Sequence, residues 1–499
     1  MLIEAASNAQ TDEIEVAIIG CGPVGALLAN LLGLQGVKTL VLDREAAIYR
    51  LPRAVHFDDE VMRLLQTVGL AGAIEPLTHV SPGMKFVTDA GRLLLHWPRP
   101  QERGPQAWHA SYRFHQPELE RVLRDGLARF SSVSVRFRTE VFAIEQDGEA
   151  ALVRYEDLAT GGLAACRARY VVGCDGARSL VRRLMGAPME DLGFHERWLV
   201  VDAILKRPRP DLGDWSVQYC NRKRPATYVR GTGDRRRWEI AVLPGEDGTA
   251  ICQTDKVFEL LKPWVVPEDV ELERVAVYSF HSAIATRWRF GRLMIAGDAA
   301  HLTPPFLGQG MCAGMRDAGN LAWKLGRVLN GRNDDSLLDT YQRERAPNVR
   351  DYIELAVRLG GLINTKAMEA AVPGAVIDGG EAARMSSIKP KLGPGLAPDW
   401  NGPARQIAPQ PVLRDGARLD DRVGYRFVAL LRPDFAAILP ADAFERLADR
   451  EIEVVADDSP ELQGWLQKAD APAILVRPDR YALGAARSAQ ELNALIQAV

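Results

Sequence analysis

The chain has few cysteines, almost no excess of either charge and no long apolar run. Its six cysteines stand apart without a CxxC pair, which argues against a zinc site or a disulfide framework and suits a reducing compartment. The net charge of -3 over 499 residues favours neither a nucleic-acid-binding surface nor a disordered tail. Because no stretch approaches the length of a membrane span and the N-terminus has no apolar core, we expect a cytoplasmic protein without membrane partners.

Motifs for covalent catalysis are also absent. The sequence has no GxSxG segment and no Cys/His catalytic signature, so it indicates no protein nucleophile. The chain of 499 residues is longer than a domain with a single hydrophobic core usually is, and 47% of its residues are hydrophobic. We therefore expect two or three globular domains.

The segment 15–43 predicts one βαβ unit. A buried strand (VAIIG) leads through a glycine turn into an apolar helix (VGALLANLLGLQG) and a second strand (KTLVLD). The turn fits the GxGxxG dinucleotide fingerprint, in which a helix N-terminus approaches a pyrophosphate, with Gly20, Gly22 and Gly25. Asp43 ends the second strand where a carboxylate can accept hydrogen bonds from a ribose, and Arg44 is adjacent. This fingerprint alone leaves NAD and FAD open.

A second motif favours FAD. The strand RLMIAGD ends in Gly297 and Asp298, which places a carboxylate where it can bind the ribityl hydroxyls of a flavin. A turn then leads into a helix whose N-terminus can face the flavin pyrimidine. The further cofactor contacts predicted in this stretch are Pro305, Gly308, Gly310 and Met311.

Three motifs together resemble a known family. The glycine fingerprint, the run CDGARS at 174–179 with Arg182, and GDAAHLTPP are similar to those of the class A flavoprotein aromatic hydroxylases, typified by para-hydroxybenzoate hydroxylase. In that group the DGxxSxVR signature is associated with both flavin and NAD(P)H binding. The resemblance therefore implies that Asp175, Gly176 and Arg178 are cofactor contacts.

Within this group the chain looks closest to the 3-(3-hydroxyphenyl)propionate hydroxylases. The similarity rests on PRAV from residue 52, FHQPELE around Gln116, the runs RPATYVRG and RRRWEIAVLPGE, and the C-terminal region. It implies that Arg53 and Gln116 contact the FAD. A guanidinium suits a pyrophosphate, and an amide can match the polar edge of a cofactor.

The resemblance also implies the reaction. NAD(P)H reduces the flavin, O2 adds to give a C4a-hydroperoxide, and its distal oxygen hydroxylates a phenolic compound, such as 3-(3-hydroxyphenyl)propionate. The cofactor carries the hard chemistry, and the protein supplies a dry pocket and orients the ring. The implied partners are a small aromatic substrate, O2 and a second copy of the chain in a homodimer.

The sequence leaves open which residue holds the phenol. His56, which follows the PRAV run, is one predicted pocket residue, and Arg230, embedded in the apolar TYVRG strand, is the predicted carboxylate ligand. The other residues considered are His109, His115, His281, His301, Tyr219 and Tyr228. Arg230 belongs to seven cations within 222–237, which as a group more often form a solvated strand edge.

The expected fold class is α/β, with a Rossmann-like FAD-binding domain, a β-sheet substrate domain and a C-terminal thioredoxin-like domain. The C-terminal region contains no cysteine, so disulfide exchange there is excluded. The predicted segments are 12–75, 107–198 and 278–375 for the discontinuous FAD-binding domain, 76–106 and 199–277 for the substrate domain, 376–411 for a linker and 412–499 for the C-terminal domain.

Two enzymatic alternatives and one non-enzymatic alternative remain. Tailoring hydroxylases and epoxidases that act on polyketide-like aromatics share most of these motifs. A halogenase is disfavoured because the chain has no WxWxIP-like segment. A plain NAD dehydrogenase would be colourless when purified, and a flavin-binding module without turnover would hold a flavin that NAD(P)H cannot reduce.

Overall fold

The computed structural model describes residues 13–221, 223–364, 383–396 and 402–499. Over these ranges, none of the helices combines the length and apolar character needed to cross a membrane. The strands form four sheets of eight, nine, four and three strands. The predicted α/β class with a discontinuous nucleotide-binding domain is confirmed, because strands from distant parts of the chain share one sheet.

The eight-stranded sheet is mainly parallel and forms the core of the first domain. Its main path runs through Arg289–Phe290, Leu293–Ile295, Gly162–Gly173, Glu13–Ile19, Thr39–Leu42 and Val133–Arg136, and Thr139–Gln146 and Ala151–Asp157 extend it from Gly162–Gly173. The central strand is buried on both faces, as expected when helices cover both sides of a parallel sheet. The helices of this domain are Pro23–Leu34, Asp59–Thr67, Ala71–Ile74, Gln116–Asp125, Leu180–Leu184, Gly310–Leu329 and Asp339–Asn364.

The nine-stranded sheet is mainly antiparallel and lies over the first domain. Its order is His301–Leu302, Val270–Ala285, Met189–Leu205, Arg235–Ala241, Ala226–Arg230, Ser216–Tyr219, Gly83–Val87, Leu93–Pro98 and Ala383–Arg384. One face packs on the helix Thr254–Leu261 and is called the outer face below. The inner face turns toward the first domain, where Arg237 donates to the carbonyl oxygens of Pro52 and Arg53.

The last strand of this sheet comes from the segment predicted as a linker. Ala383–Arg384 pairs with Leu93–Pro98, and Met385 and Leu392 are buried. Residues 365–382 and 397–401 of the predicted domain end and linker lie outside the described residues. The domain boundaries stay predictions.

The smallest sheet joins three short strands beside the first domain: His56–Asp58, Ser111–Arg113 and His79–Val80. His56 and Arg113 are directly opposed in its antiparallel register. Directly opposed residues in such a pair project from the same face of the sheet. These two side chains are therefore neighbours although 57 positions separate them in sequence.

The C-terminal domain is a four-stranded sheet with helices. Its strand order is Ile452–Ala456, Phe427–Leu431, Ala473–Val476 and Ala482–Ala486, with the first two strands parallel and the others antiparallel. Its helices are Leu419–Val423, Pro433–Ile438, Ala441–Asp449, Pro460–Lys468 and Ala489–Gln497. The specifically thioredoxin-like assignment stays a prediction.

Candidate functional site

The glycine turn leaves open space at one helix N-terminus. Gly20 has φ +101, and a Cβ there would lie 2.5 Å from the Cys174 carbonyl oxygen, while one at Gly25 would lie 2.0 Å from the Gly20 oxygen. These two glycines therefore permit close packing within the protein. Gly22, the N-cap of Pro23–Leu34, differs because a Cβ there would meet no described atom within 4 Å. The space above Gly22 is free for an anionic group at the helix N-terminus.

Asp43 fixes this turn from the end of the neighbouring strand. Its Oδ2 accepts the Cys21 backbone N–H at 2.6 Å, and its Oδ1 accepts the Glu45 N–H at 2.8 Å. Each carboxylate oxygen retains a lone pair for a ribose hydroxyl. Arg44 is different, because its side chain is exposed and its Nε lies 3.1 Å from Glu45. The cofactor contact predicted for Arg44 has no support from this geometry.

The Asp175 motif links two turns of the cleft. Asp175 Oδ2 accepts the N–H groups of Leu180 and Val181 at 2.7 and 3.2 Å, while its buried Oδ1 has no partner among the described residues. Arg182 donates to the Ala299 carbonyl oxygen at 2.9 Å, which ties this motif to the Gly297–Asp298 turn. Gly176 has φ +76 and Arg178 is exposed. Both lie at the solvent side of the motif.

The buried carboxylate of Asp317 supports the Gly297–Asp298 turn. Asp317 accepts the Gly297 N–H at 3.1 Å and contacts His301 Nε2 at 2.6 Å, and Arg345 donates to its other oxygen at 2.8 Å. Burial opposes ionisation of Asp317, yet His301 and Arg345 outweigh it and hold its pKa below the ordinary value. His301 thus has a structural position under the turn.

Asp298 itself takes no part in these hydrogen bonds. Its side chain is exposed, and desolvation by the surrounding protein raises its pKa against the lowering effect of the His301 and Arg53 charges. A side chain that solvent reaches from one direction and protein surrounds on the others lies at the base of an open cleft. A carboxylate there can accept hydrogen bonds from ligand hydroxyls.

The glycine turn after Pro305 completes the cleft. Gly308 has φ +64, and the helix Gly310–Leu329 begins two residues later with Met311 in its first turn. Gly310 and Met311 are only half-buried, so the first N–H groups of this helix face the cleft. A helix N-terminus at this place suits the electron-rich edge of a flavin.

Gln116 positions Arg53. Its Oε1 accepts the backbone N–H groups of Arg53 and Ala54 at 2.9 and 2.7 Å, and its Nε2 donates to Glu120 at 2.7 Å. The Arg53 side chain is exposed and lies over the Tyr49 ring. Gln116 therefore uses its amide within the protein, and its predicted direct contact with FAD stays a prediction.

His56 lies beside the Gly308 turn with one ring nitrogen unused. Nδ1 is 3.3 Å from the Gly308 carbonyl oxygen, and the buried Nε2 has no partner in the described part of the chain. Burial, together with the charges of Arg113 and Arg99, lowers the pKa of His56 to about 3. The ring is neutral at pH 7, and Nδ1 donates to Gly308 while Nε2 keeps a lone pair.

The sequence interpretation missed two cations of this cleft, Arg99 and Arg113. Arg113 donates to the Ser216 hydroxyl at 2.6 Å, and Ser216 projects from the inner face of the large sheet. Arg99 stacks 4.2 Å above the Trp97 ring, which lies on the same face. No sequence motif marks either residue, although Arg113 stands three positions before Gln116.

Arg230, the carboxylate ligand predicted from the sequence, lies on the outer face of the large sheet. Arg230 follows Tyr228 at strand spacing, and Tyr228 belongs to the outer core beside Trp238. Since alternate residues share a face, Arg230 points outward, and its Nε lies 3.1 Å from Asp214. Because Arg230 is already paired on the outer face, this geometry gives no support to the carboxylate contact predicted for it, which stays a prediction.

Several of the other candidate pocket residues and of the cations in 222–237 also have partners within the protein. Arg224 pairs with Glu246, and Arg237 pairs with Asp202. Tyr219 packs on Trp264 at the outer face, and His281 Nδ1 lies 2.8 Å from the exposed His195. Arg222 lies outside the described residues.

The arrangement as a whole fits FAD. The helix N-terminus at Gly22 can bind the pyrophosphate, and Asp43 can bind a ribose. Asp298 can bind the ribityl hydroxyls, and the Gly308–Gly310 turn can face the flavin ring. His56, at that last turn, lies on the side where the inner face of the large sheet closes the cleft. A ring bound between the turn and the sheet would be adjacent to the flavin.

Comparison with known proteins agrees with this geometry. Residues 13–356 match the family model described as an FAD binding domain, and residues 415–499 match the HcaD C-terminal domain. The chain is 38% identical to a probable NADH-specific resorcinol 4-hydroxylase of Rhodococcus jostii (strain RHA1), over 97% of this chain and 94% of that protein. It is 34% identical to 3-(3-hydroxy-phenyl)propionate/3-hydroxycinnamic acid hydroxylase 2 of Burkholderia vietnamiensis (strain G4 / LMG 22486), over 93% and 92% of the two chains.

Solved structures show the same fold. The flavin-dependent monooxygenase PieE, in complex with FAD and substrate, superimposes with a TM-score of 0.80 at 22% identity, covering 97% of this chain and 98% of that chain. Aklavinone-11 hydroxylase with FAD and aklavinone gives a TM-score of 0.78 at 22% identity, with coverages of 97% and 98%. The chain therefore belongs to the class A flavoprotein aromatic hydroxylases and is an FAD-dependent enzyme, as its three motifs predict.

Proposed function

We propose that this enzyme uses NADH and O2 to hydroxylate a small phenolic compound, such as resorcinol or a hydroxyphenyl acid. The relatives named for these activities support this substrate class, and the name of the Rhodococcus relative supports NADH over NADPH. When bound, FAD supplies electron transfer from NADH and transfer of one oxygen atom to the ring. The residues of the chain bind, orient and shield the reactants.

The observation that carries the proposal is the unused Nε2 of His56 beside the Gly308 turn. A phenol hydroxyl is a donor, and a buried acceptor without a partner costs free energy until a donor reaches it. His56 thus holds the substrate hydroxyl by accepting its hydrogen bond. With a pKa of about 3 the ring is a weak base, so its role is orientation and polarisation of the O–H bond.

Aromatic side chains keep water from this part of the cleft. Phe306, which stands just before the Gly308 turn, packs edge-on against Trp198 of the inner face at 5.8 Å and against Phe194 at 5.5 Å. All three side chains are buried. A dry apolar wall strengthens the polar contacts made inside it and protects reactive intermediates from water.

The function is tested by product analysis with purified holoenzyme. We expect NADH oxidation to be accelerated by resorcinol or 3-(3-hydroxyphenyl)propionate, with a product heavier by one oxygen atom, and NADPH to be a poorer reductant. The panel should include a polycyclic phenol. Turnover of the polycyclic compound alone would favour the tailoring alternative, and failure of every phenol to give a hydroxylated product would refute the proposal.

We also propose a homodimer that uses the C-terminal domain. Ile438, on the helix Pro433–Ile438, is 77% exposed, and Phe444 on the next helix is also exposed. Exposed apolar groups on adjacent helices are compatible with a protein interface. Light scattering of the holoenzyme should give twice the chain mass of 55.0 kDa, and Ile438→Glu should reduce it to the monomer value.

A further inference from the structure

Two guanidinium groups in the cleft have no carboxylate partner. Among the residues described, Arg113 has a side-chain hydrogen bond only to Ser216, and Arg99 makes only its stacking contact with Trp97. Most other arginines of the inner face are paired, as Arg237 and Arg274 are with Asp202. Arg99 and Arg113 are therefore cations without a direct ion-pair partner among the described residues.

The carboxylates nearest to this pair already have cations of their own. Asp58 pairs with Arg316, and Asp59 accepts a hydrogen bond from Lys389 at 2.6 Å. Glu239 lies 3.8 Å from Arg237, and burial raises its pKa. The positive charge of Arg99 and Arg113 is thus incompletely balanced.

Desolvation of the two guanidinium groups lowers the stability of the protein when no anion is bound. Burial lowers the pKa of Arg99 to about 10, and burial together with the charge of Arg99 lowers the pKa of Arg113 to about 10. Placing like charges together in a partly dry cleft destabilises a protein unless an anion binds there. Groups whose pKa is shifted by desolvation together with a neighbouring charge cluster at functional sites.

Their position relates them to the substrate hydroxyl. Arg113 is the cross-strand partner of His56, and the charges of both arginines act on the His56 ring. A phenol that donates to His56 Nε2 therefore has the two guanidinium groups nearby. They can bind a carboxylate of the substrate while its hydroxyl donates to His56, or they can bind the phenol oxygen as a phenolate, which then no longer donates to His56.

We infer that Arg99 and Arg113 form an anion subsite, beside His56, that binds a negatively charged oxygen group of the aromatic substrate. This inference rests on the proposed function. It assigns selectivity for anionic aromatics to two residues outside the cofactor motifs. The charge comes from a substrate carboxylate or from the phenolate oxygen itself, and the two sources have separable signatures.

The subsite is tested by ligand titration of oxidised holoenzyme, followed through the flavin absorbance. The ligands are 3-(3-hydroxyphenyl)propionate and resorcinol, and the variants are Arg99→Gln and Arg113→Gln. Arg167→Gln, which removes an exposed arginine paired with Asp147, is the matched control. Losing one charge-assisted hydrogen bond should raise Kd roughly 10- to 100-fold.

The pattern of Kd changes tells which oxygen group the two arginines bind. Weaker binding of the acid alone identifies the carboxylate as the bound anion, and weaker binding of both ligands identifies the phenolate. Unchanged Kd values in both variants, with binding by the wild type intact, overturn the subsite but leave the proposed function standing. If the wild type binds neither phenol, the proposed function fails and the subsite falls with it.

Wild-type measurements keep the inference testable if the variants do not fold. 3-Phenylpropionate should bind at least about tenfold more tightly than its uncharged amide, or bound 4-nitrophenol should ionise at a pH at least about one unit lower than in water. Either result supports the subsite. Equal affinity of acid and amide, combined with an unshifted nitrophenol, overturns it.

Discussion

His56 Nδ1 lies 3.3 Å from the carbonyl oxygen of Gly308, so a histidine on one short strand is fixed to the turn that begins the helix Gly310–Leu329. The contact explains why only Nε2 of the ring is available to a ligand. It also couples the protonation of His56 to the stability of the cleft.

The first prediction follows from the lowered pKa of His56. The unfolded side chain titrates near 6.5 and the folded one near 3, so between these values the unfolded state binds the extra proton. Stability from this group is present above pH 6.5 and is lost as pH falls. On lowering the pH from 7 to 4.5, wild type should lose about 2 to 3 kcal/mol more than His56→Gln.

Urea denaturation of both proteins across this pH range measures the difference. Other titrating groups are common to both proteins and cancel in the comparison. Stability curves that run parallel from pH 7 to pH 4.5 would show that His56 is not buried as a neutral ring.

The second prediction concerns Gly22. Because a Cβ there meets no described atom within 4 Å, Gly22→Ala should change the stability of the apoprotein by about 1 kcal/mol or less. The added methyl group should nevertheless occupy the space of the pyrophosphate and raise the Kd of FAD at least about tenfold.

Gly464→Ala is the matched control, since Gly464 lies in a helix of the C-terminal domain and is equally open. It should bind FAD as wild type does. Normal FAD affinity in Gly22→Ala would place the pyrophosphate elsewhere.

The third prediction concerns Asp298. Replacing it with Ala removes the exposed carboxylate at the base of the cleft but leaves the Asp317 contacts under the turn in place. The turn should persist, whereas FAD should be lost during purification because its ribityl hydroxyls lose their acceptor.

The ratio of flavin to protein absorbance measures the effect. Asp255→Ala, which removes an exposed carboxylate on the helix Thr254–Leu261, should keep its flavin. Stoichiometric flavin in Asp298→Ala would argue against the ribityl contact.

The fourth prediction concerns the buried charges that join the C-terminal domain to the first domain. Glu344 accepts hydrogen bonds from Lys324 at 2.7 Å and from Arg477 at 2.8 and 2.9 Å. Burial opposes its ionisation, yet Arg477 and Lys324 hold its pKa below the ordinary value. Glu344→Gln leaves the buried Lys324 without its paired anion, while Arg477 keeps only Asp479, and it should lower the free energy of unfolding by about 3 to 5 kcal/mol.

Chemical denaturation of the holoenzyme checks this value. Glu190→Gln breaks the exposed pair with Arg350 and should cost about 1 kcal/mol or less. Similar small losses in both variants would mean that the buried network does not hold the two domains together.

The cofactor site could be predicted because its parts are contiguous in sequence. A strand, a glycine turn and a helix N-terminus follow one another directly at Gly20–Gly25, and the run Gly297–Met311 leads from a strand to a helix N-terminus through a longer continuous segment. Local patterns of this kind carry both the backbone geometry and the chemistry. The contact of Arg44 stays a prediction without support from the geometry, because adjacency in sequence does not show where a long side chain points.

The substrate side could not be predicted in the same way. Arg99, Arg113 and His56 come from three segments that only the tertiary fold brings together. For Arg230, strand alternation predicts that neighbours face opposite sides but not which side is inner. That choice depends on the helix Thr254–Leu261, which covers the face carrying Tyr228 and Arg230.

The central claim is that a phenol binds beside the flavin and is hydroxylated with electrons from NADH. The direct measurement is anaerobic stopped-flow reduction of the bound flavin by NADH, with and without resorcinol or 3-(3-hydroxyphenyl)propionate. We predict that at least one of these phenols accelerates flavin bleaching by at least about tenfold, and that NADPH is slower. Reduction at the same rate with and without every phenol tested would contradict the account.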